Sequence, residues 1–469
     1  MYTFSNRFKV FSLALIILGS LGWFYSYSKS HLTIEEVKQL LAEESHHGSH
    51  AGDSHSMNYQ NEKHHNEGVH HPDLHSDALT HGNDAHGHDA HGHDAHGHDA
   101  HGHEDEHAEH VLHQIHNRPY AALYVAAFFF MMISLGVLAF YAIQYASQAG
   151  WSPVLFRVME AITYYLLPGA LIVLIIAIIG DKHIFIWMDP EVVAHDKIIQ
   201  GKESWLNKNS FIIRGLIYIG GWSLYRYFSR KLSLAQDKAK DNKNFKRNFQ
   251  ISAGFLVFFM YTESMMSWDW IMSVDPHWFS TLFGWYVFAS MAVSGITVIA
   301  LITIYLNSKG LMSYVNDSHL HDLAKFMFGF SVFWAYLWFS QFMLIWYANI
   351  PEEVTYFVTR IEMYPIPFFT MFCLNFIFPF LVLMNSDYKR VPIFIIMAGV
   401  IILIGHYMDV YMMIMPATVI DRYGFGIAEF SSILIFLGLF LLLVFYSLSK
   451  EELLAKRNPM IKESENFHY

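Results

Sequence analysis

Several ionisable side chains that could move a proton stand inside or beside long apolar runs. His406 and Asp409 are three residues apart in one such run, so they share a helix face. Glu263 stands in Phe-Phe-Met-Tyr-Thr-Glu-Ser-Met-Met, about two turns inside the end of another. Asp269, Asp275 and His277 follow within Trp-Asp-Trp-Ile-Met-Ser-Val-Asp-Pro-His-Trp-Phe-Ser-Thr, residues 268–281. Arg157 and Glu160 form a second pair three residues apart. Ionisable groups at membrane depth are costly and tend to mark ion, proton or ligand paths. Carboxylates and a histidine can accept the protons released when a quinol is oxidised. Each group also has a plainer reading. His406–Asp409 can hold helices together, Asp275 can cap the turn after Pro276, Arg157–Glu160 can be a salt bridge, and Glu263 can bond a neighbouring helix.

The elements that must position these groups are transmembrane helices. The chain has 469 residues, 54% of them hydrophobic and 15% charged, well below the roughly 25% charge of a soluble domain. Apolar runs cover about 120–147, 152–180, 211–228, 250–268, 281–306, 323–347, 365–385, 391–413 and 427–448. Each can cross a hydrocarbon layer of about 30 Å, and lipid requires their backbone to be helical. With an N-terminal helix over residues 1–27, either a cleaved signal or, as favoured here, a retained span, the sequence predicts ten spans. Residues 119–450 form a nine-helix membrane domain and 451–469 a cytoplasmic tail.

The net charge of −11 is local. Residues 28–118 carry 17 acids against Lys29, Lys38, Lys63 and Arg118, so the remainder is slightly positive. The same segment holds 23 of the 30 histidines and four tandem Asp-Ala-His-Gly-His repeats from Asp84 to His103. Its composition predicts disorder. His86, His88, His91, His93, His96 and His98 are the candidate metal ligands, for zinc, copper or nickel; an expanded linker with incidental metal affinity is the other reading.

The basic loop from Arg226 to Arg247 should be cytoplasmic. Counting spans from it puts both termini in the cytoplasm. The acidic segment, residues 263–286 and the connections at 181–210, 348–364 and 416–426 fall on the outer side. That side is the periplasm if the cell is Gram-negative.

Several functions are disfavoured. The single Cys373 allows no intramolecular disulfide and no self-contained four-cysteine iron–sulfur or zinc site. No Cys-x-x-Cys-His attaches a haem. Only His406 lies well inside a span, so two histidines cannot be paired around an intramembrane haem. No phosphate-binding glycine motif occurs. Redox chemistry here would run through quinone or protons, with metal centres on partner chains.

The run from Trp268 to Tyr286, with its Asp-Pro-His-Trp-Phe-Ser-Thr core, resembles a signature of alternative complex III, a bacterial quinol:cytochrome c oxidoreductase. Leu206-Asn207, Phe211 and Arg214 are similar to the Leu-Asn-x-x-x-Phe-x-x-Arg of the same family. The resemblance covers about residues 115–450 and is to the second large NrfD/polysulfide-reductase-like membrane subunit. It implies ten helices arranged as two four-helix bundles plus two peripheral helices, in the bacterial inner membrane. It implies partners: a multihaem cytochrome c, an iron–sulfur subunit, a second NrfD-like subunit, a monohaem cytochrome c and small membrane subunits. It implies quinol as the redox partner, oxidised mainly at the sister subunit, with no haem or iron–sulfur cluster on this chain. The motif carries Asp269, Asp275 and His277; Glu263, His406, Asp409 and Glu160 rest on depth alone. Two other classes stay open: a divalent-metal transporter fed by the His-rich segment, and a purely structural membrane scaffold.

Overall fold

The computed structural model describes residues 2–48 and 99–468, which hold helices and no strand. The candidate metal ligands His86, His88, His91, His93, His96 and His98 lie outside the described residues. The chain divides into two compact units, Leu32–Leu112 and the remainder.

In the smaller unit, α2 (Ile34–Gly48) and the start of α3 (Asp99–Ala146) are helical where the composition predicts disorder. The reason is local. The Thr33 hydroxyl accepts from the Glu36 N–H while Glu36 accepts from the Thr33 N–H, a reciprocal cap that satisfies two otherwise orphan donors. Ile34, Val37 and Leu41 recur on one face, and Val37 is fully buried. Lys38 pairs with Asp105 within the same unit.

The larger unit is an all-α membrane architecture. Among the described residues, eight helices are long and apolar enough to cross a bilayer. They are α1 (Asn6–Ser30), His107–Ala146 of α3, α4 (Pro153–Ile179), α7 (Phe283–Ser308), α8 (Asp317–Ala348), α10 (Pro365–Leu383), α11 (Pro392–Thr418) and α12 (Ile427–Leu448). The sequence predicts ten spans. The other two expected spans are helices of 29 and 28 residues, α5 (Lys208–Gln236) and α6 (Lys243–Trp270). They are long enough but more polar, since they carry Arg214, Arg226, Lys246, Arg247 and buried Ser, Thr and Asn residues. Those small polar groups zip α5 to α6: Tyr225 with Ser252, Ser229 with Asn248, and Trp222 with Thr262, at 2.7–3.0 Å. Their outward side chains are nonetheless apolar, including Ile213, Leu216, Val257 and Met260.

Three departures from plain helices matter for the site. α4 tightens to a 3₁₀ turn at Thr163–Tyr165, just before Pro168. α10 contains a π-helical turn at Cys373–Ile377, ahead of Pro379. Such turns are rare and concentrate at functional positions. The connection 348–364 contains α9 (Pro351–Glu362), which starts on Pro351 and turns Phe357 and Arg360 inward. α1 lies closely along α12, where a Cβ on Gly438 would meet the Ser12 carbonyl oxygen at 2.7 Å.

Candidate functional site

The carboxylates singled out in the sequence separate into four kinds once their partners are known.

Asp269 and Glu160 are fully paired. Asp269, near the end of α6, has no exposed surface. Arg214 of α5 donates to it twice, from Nε at 2.7 Å and Nη2 at 2.9 Å. Trp205 Nε1 and the Tyr218 hydroxyl donate at 2.9 Å each. Arg214 also lies over the Trp205 ring, 4.2 Å from its centroid. A carboxylate with four donors, two of them from one guanidinium, has no free site to accept a further proton carrier. Asp269 is a clamp between α5 and α6. Glu160 is similarly engaged, accepting from Arg157 at 2.6 Å and from the Tyr141 hydroxyl at 2.9 Å. Arg157 continues to Asp237 at 2.5 Å, tying α4 to the end of α5.

Asp275 and His277 belong to a turn. Asp275 Oδ1 accepts from the His277 N–H at 3.3 Å, the capping arrangement expected of Asp-Pro-His. The His277 ring is exposed and meets Asp196 at 2.5 Å. The Asp196 carboxyl is held below the usual carboxylate range: the slight cost of its burial is outweighed by bonds from the Ile199 amide, His277 and the Ile198 amide. Its contribution to stability is therefore present at neutral pH and is lost as acid protonates it, below about pH 4. Because the pair is solvated, His277→Ala should cost no more than about 1 kcal/mol. A thermal melt at pH 7 checks this, and a loss of several kcal/mol would contradict it.

Glu263 is the isolated case. It is 4% exposed, its Oε1 has no hydrogen-bond partner in the protein, and it lines an apolar recess between α6 and α7.

His406 and Asp409 of α11 are the centre of a buried polar line. Both have no exposed surface, and His406 Nδ1 is 3.5 Å from Asp409 Oδ2. Asp409 accepts from the Tyr286 hydroxyl of α7 and from Trp334 Nε1 of α8, the latter at 2.8 Å. Ser290 of α7 hydrogen-bonds His406 Nδ1 at 2.9 Å. Tyr286, Ser290, Ser294 and Thr297 recur every three or four residues, so α7 presents one polar stripe. Inward of His406 the π-turn of α10 brings Asn375 against α11. A Cβ on Gly405 would sit 2.1 Å from Asn375 Oδ1, so only glycine admits that side chain. Outward, Tyr286, Gln341 and Arg360 line a cavity of about 10 Å³ with Trp338, Tyr356 and Phe357, about the room one water needs. Arg360 is held by the Met412 and Tyr356 carbonyls at 2.9 and 2.8 Å, and Trp278 stacks on Tyr356 at 4.0 Å. The residue after the Asp-Pro-His turn thus packs over the end of the line at Tyr356 and Arg360.

Several atoms along this line find no partner among the described residues: His406 Nε2, both amide atoms of Asn375, Ser331 Oγ and Gln341 Nε2. Buried polar atoms are usually satisfied, and the exceptions ask for water or a functional cause. Among the described residues no group of three or more His, Cys, Asp or Glu side chains could hold a metal ion.

Sequence reasoning found His406 and Asp409 but missed Gln341, Asn375 and Arg360. Gln341 and Asn375 stand out only as amides inside apolar runs, and Arg360 as the sole arginine of the 348–364 connection.

Compared with known proteins, the chain matches no family model and no curated protein.

Proposed function

We propose that this chain is an integral-membrane subunit of a respiratory quinol:cytochrome c oxidoreductase of the alternative complex III type, and that it carries protons. In this reading α5 and α6 also cross the bilayer, giving ten spans in two four-helix bundles with two peripheral helices. The chain sits in the bacterial inner membrane with its termini inside. Its partners are the haem-bearing, iron–sulfur and second NrfD-like subunits that the Trp268–Tyr286 motif implies. Redox cofactors belong to those partners, and quinol is the electron donor.

The observation that carries the proton role is the buried line Asn375–His406–Asp409–Tyr286–Gln341, whose open hydrogen-bond sites suit water. A proton can be handed between such groups when each can both accept and donate. The two ring nitrogens of His406 can do both, and Asp409, Tyr286 and intervening water extend the path. The aromatic wall around the line keeps out bulk water, as a gated path needs.

Asn375→Leu tests this without touching an ionisable group. In proteoliposomes holding the chain with its co-purifying subunits, outward proton movement per electron should fall several-fold. Quinol-driven cytochrome c reduction should fall less. An unchanged proton-to-electron ratio would remove Asn375 from the path.

A further inference from the structure

The recess at Glu263 does not belong to the polar line. Trp285 faces it, whereas the next residue, Tyr286, bonds Asp409. Its volume is about 230 Å³, and its walls are Ile143 of α3, Leu256, Phe259 and Met260 of α6, and Trp285 and Phe288 of α7. Among the lining residues Glu263 carries the one carboxyl and Ser264 the one hydroxyl, and Trp285 has an indole N–H. Glu263 Oε2 is 3.5 Å from Ser264 Oγ, at the long limit of a hydrogen bond, and Oε1 has no partner in the protein. Asp269, Glu160 and Asp409, by contrast, each receive at least two close donors.

A carboxyl group buried alone is costly, because its oxygens have given up water without replacement. A ligand that donates a hydrogen bond removes that cost. A proton relay does not fit, since beyond Ser264 the lining side chains offer no group that both accepts and donates a proton. The rim tells where the ligand comes from. Met260 and Trp285 are about half exposed, and Val257 and Tyr261 beside them are more exposed still. An opening edged by such side chains admits solutes dissolved in hydrocarbon. Size narrows the class: a cavity of about 150 Å³ accepts one benzene ring, so this recess accommodates a substituted aromatic ring with its tail left outside. Phe259, Trp285 and Phe288 offer the ring faces and edges that aromatic ligands pack against.

We infer that this recess binds the phenolic head group of a lipid-soluble quinol, with Glu263 accepting the hydrogen bond from one hydroxyl. The inference rests on the quinol:cytochrome c reading and goes beyond it by placing a quinol on this chain, apart from the proton line.

The test uses 2-heptyl-4-hydroxyquinoline N-oxide, a hydroxyl-bearing quinol analogue whose fluorescence is quenched when it binds. It is titrated into the chain purified with its partners. Glu263→Met removes the acceptor at nearly the same side-chain length, and Leu256→Trp fills the recess. Each variant should lose one equivalent of saturable binding, or weaken it at least tenfold, and Asp409→Asn should bind like the wild type. Unchanged affinity and stoichiometry in both variants overturn the inference while leaving the proton line standing. Loss in Leu256→Trp alone overturns the role given to Glu263. Recess-dependent binding by a preparation that holds no haem overturns the oxidoreductase reading and leaves the binding site in place.

Discussion

Asp409→Asn should abolish most outward proton movement, by at least tenfold per electron transferred, while the protein still accumulates and binds its partners. The asparagine keeps one oxygen to accept from Tyr286 or Trp334, so the aromatic cage around it need not open. What it loses is the group that can hold a proton and pass it on. Its amide also replaces one acceptor beside His406 with a donor, which alters the histidine's hydrogen bonding. Asp409→Ala is a harsher change: it leaves the Tyr286 hydroxyl and the Trp334 N–H without their acceptor in a buried site, costing about 1–3 kcal/mol for each orphaned group. The pair of variants therefore separates conduction from folding. Proton movement in reconstituted vesicles and yield of the assembled chain are the two readouts. Normal proton movement in a well-assembled Asp409→Asn protein would contradict the role.

The second large effect is on assembly. Asp269→Ala should leave Arg214 as a mostly buried guanidinium facing the space its partner filled. Breaking a buried pair on one side costs about 3–5 kcal/mol, a large share of a typical stability. Trp205 and Tyr218 lose their acceptor as well, so α5 and α6 lose the clamp at their outer ends. Little folded protein should reach the membrane. Asp269→Asn, which keeps one acceptor oxygen for Tyr218 or Trp205, should be milder, and Arg214→Lys should fall between, because lysine cannot reproduce the bidentate bond. Membrane yield and the thermal midpoint of the purified chain measure all three. If Asp269→Ala instead accumulated normally and lost only turnover, Asp269 would be a working group and not a clamp.

The contrast between these two aspartates shows what the sequence could and could not say. Both lie near the C-terminal end of an apolar run, and by depth alone they are equals. Arg214 stands 55 residues before Asp269, and only the pairing of α5 with α6 brings it within bonding distance. Tyr286 and Trp334 are likewise brought to Asp409 from two other helices. Depth and spacing were enough to find His406 with Asp409 and to mark Glu263 as buried, because both follow from position along a helix. They were not enough to show that Glu263 lacks a partner, which depends on what α7 presents to it. Asn375 was hidden for a further reason: a π-turn, not the 3.6-residue repeat, aims it at Gly405. The helical residues 34–48 were masked by the surrounding histidines and acids, although the Thr33–Glu36 cap and the Ile34, Val37, Leu41 spacing were present.

The most direct measurement of the central claim is made on the full-length chain, tagged and purified in mild detergent. Its reduced-minus-oxidised spectrum and its quinol-driven cytochrome c reduction are recorded together. The account predicts c-type haem bands from partner subunits, although this chain has no haem-attachment motif, and cytochrome c reduction that falls away when quinol is withheld. A well-folded preparation with neither haem nor quinol-dependent reduction of cytochrome c would contradict it.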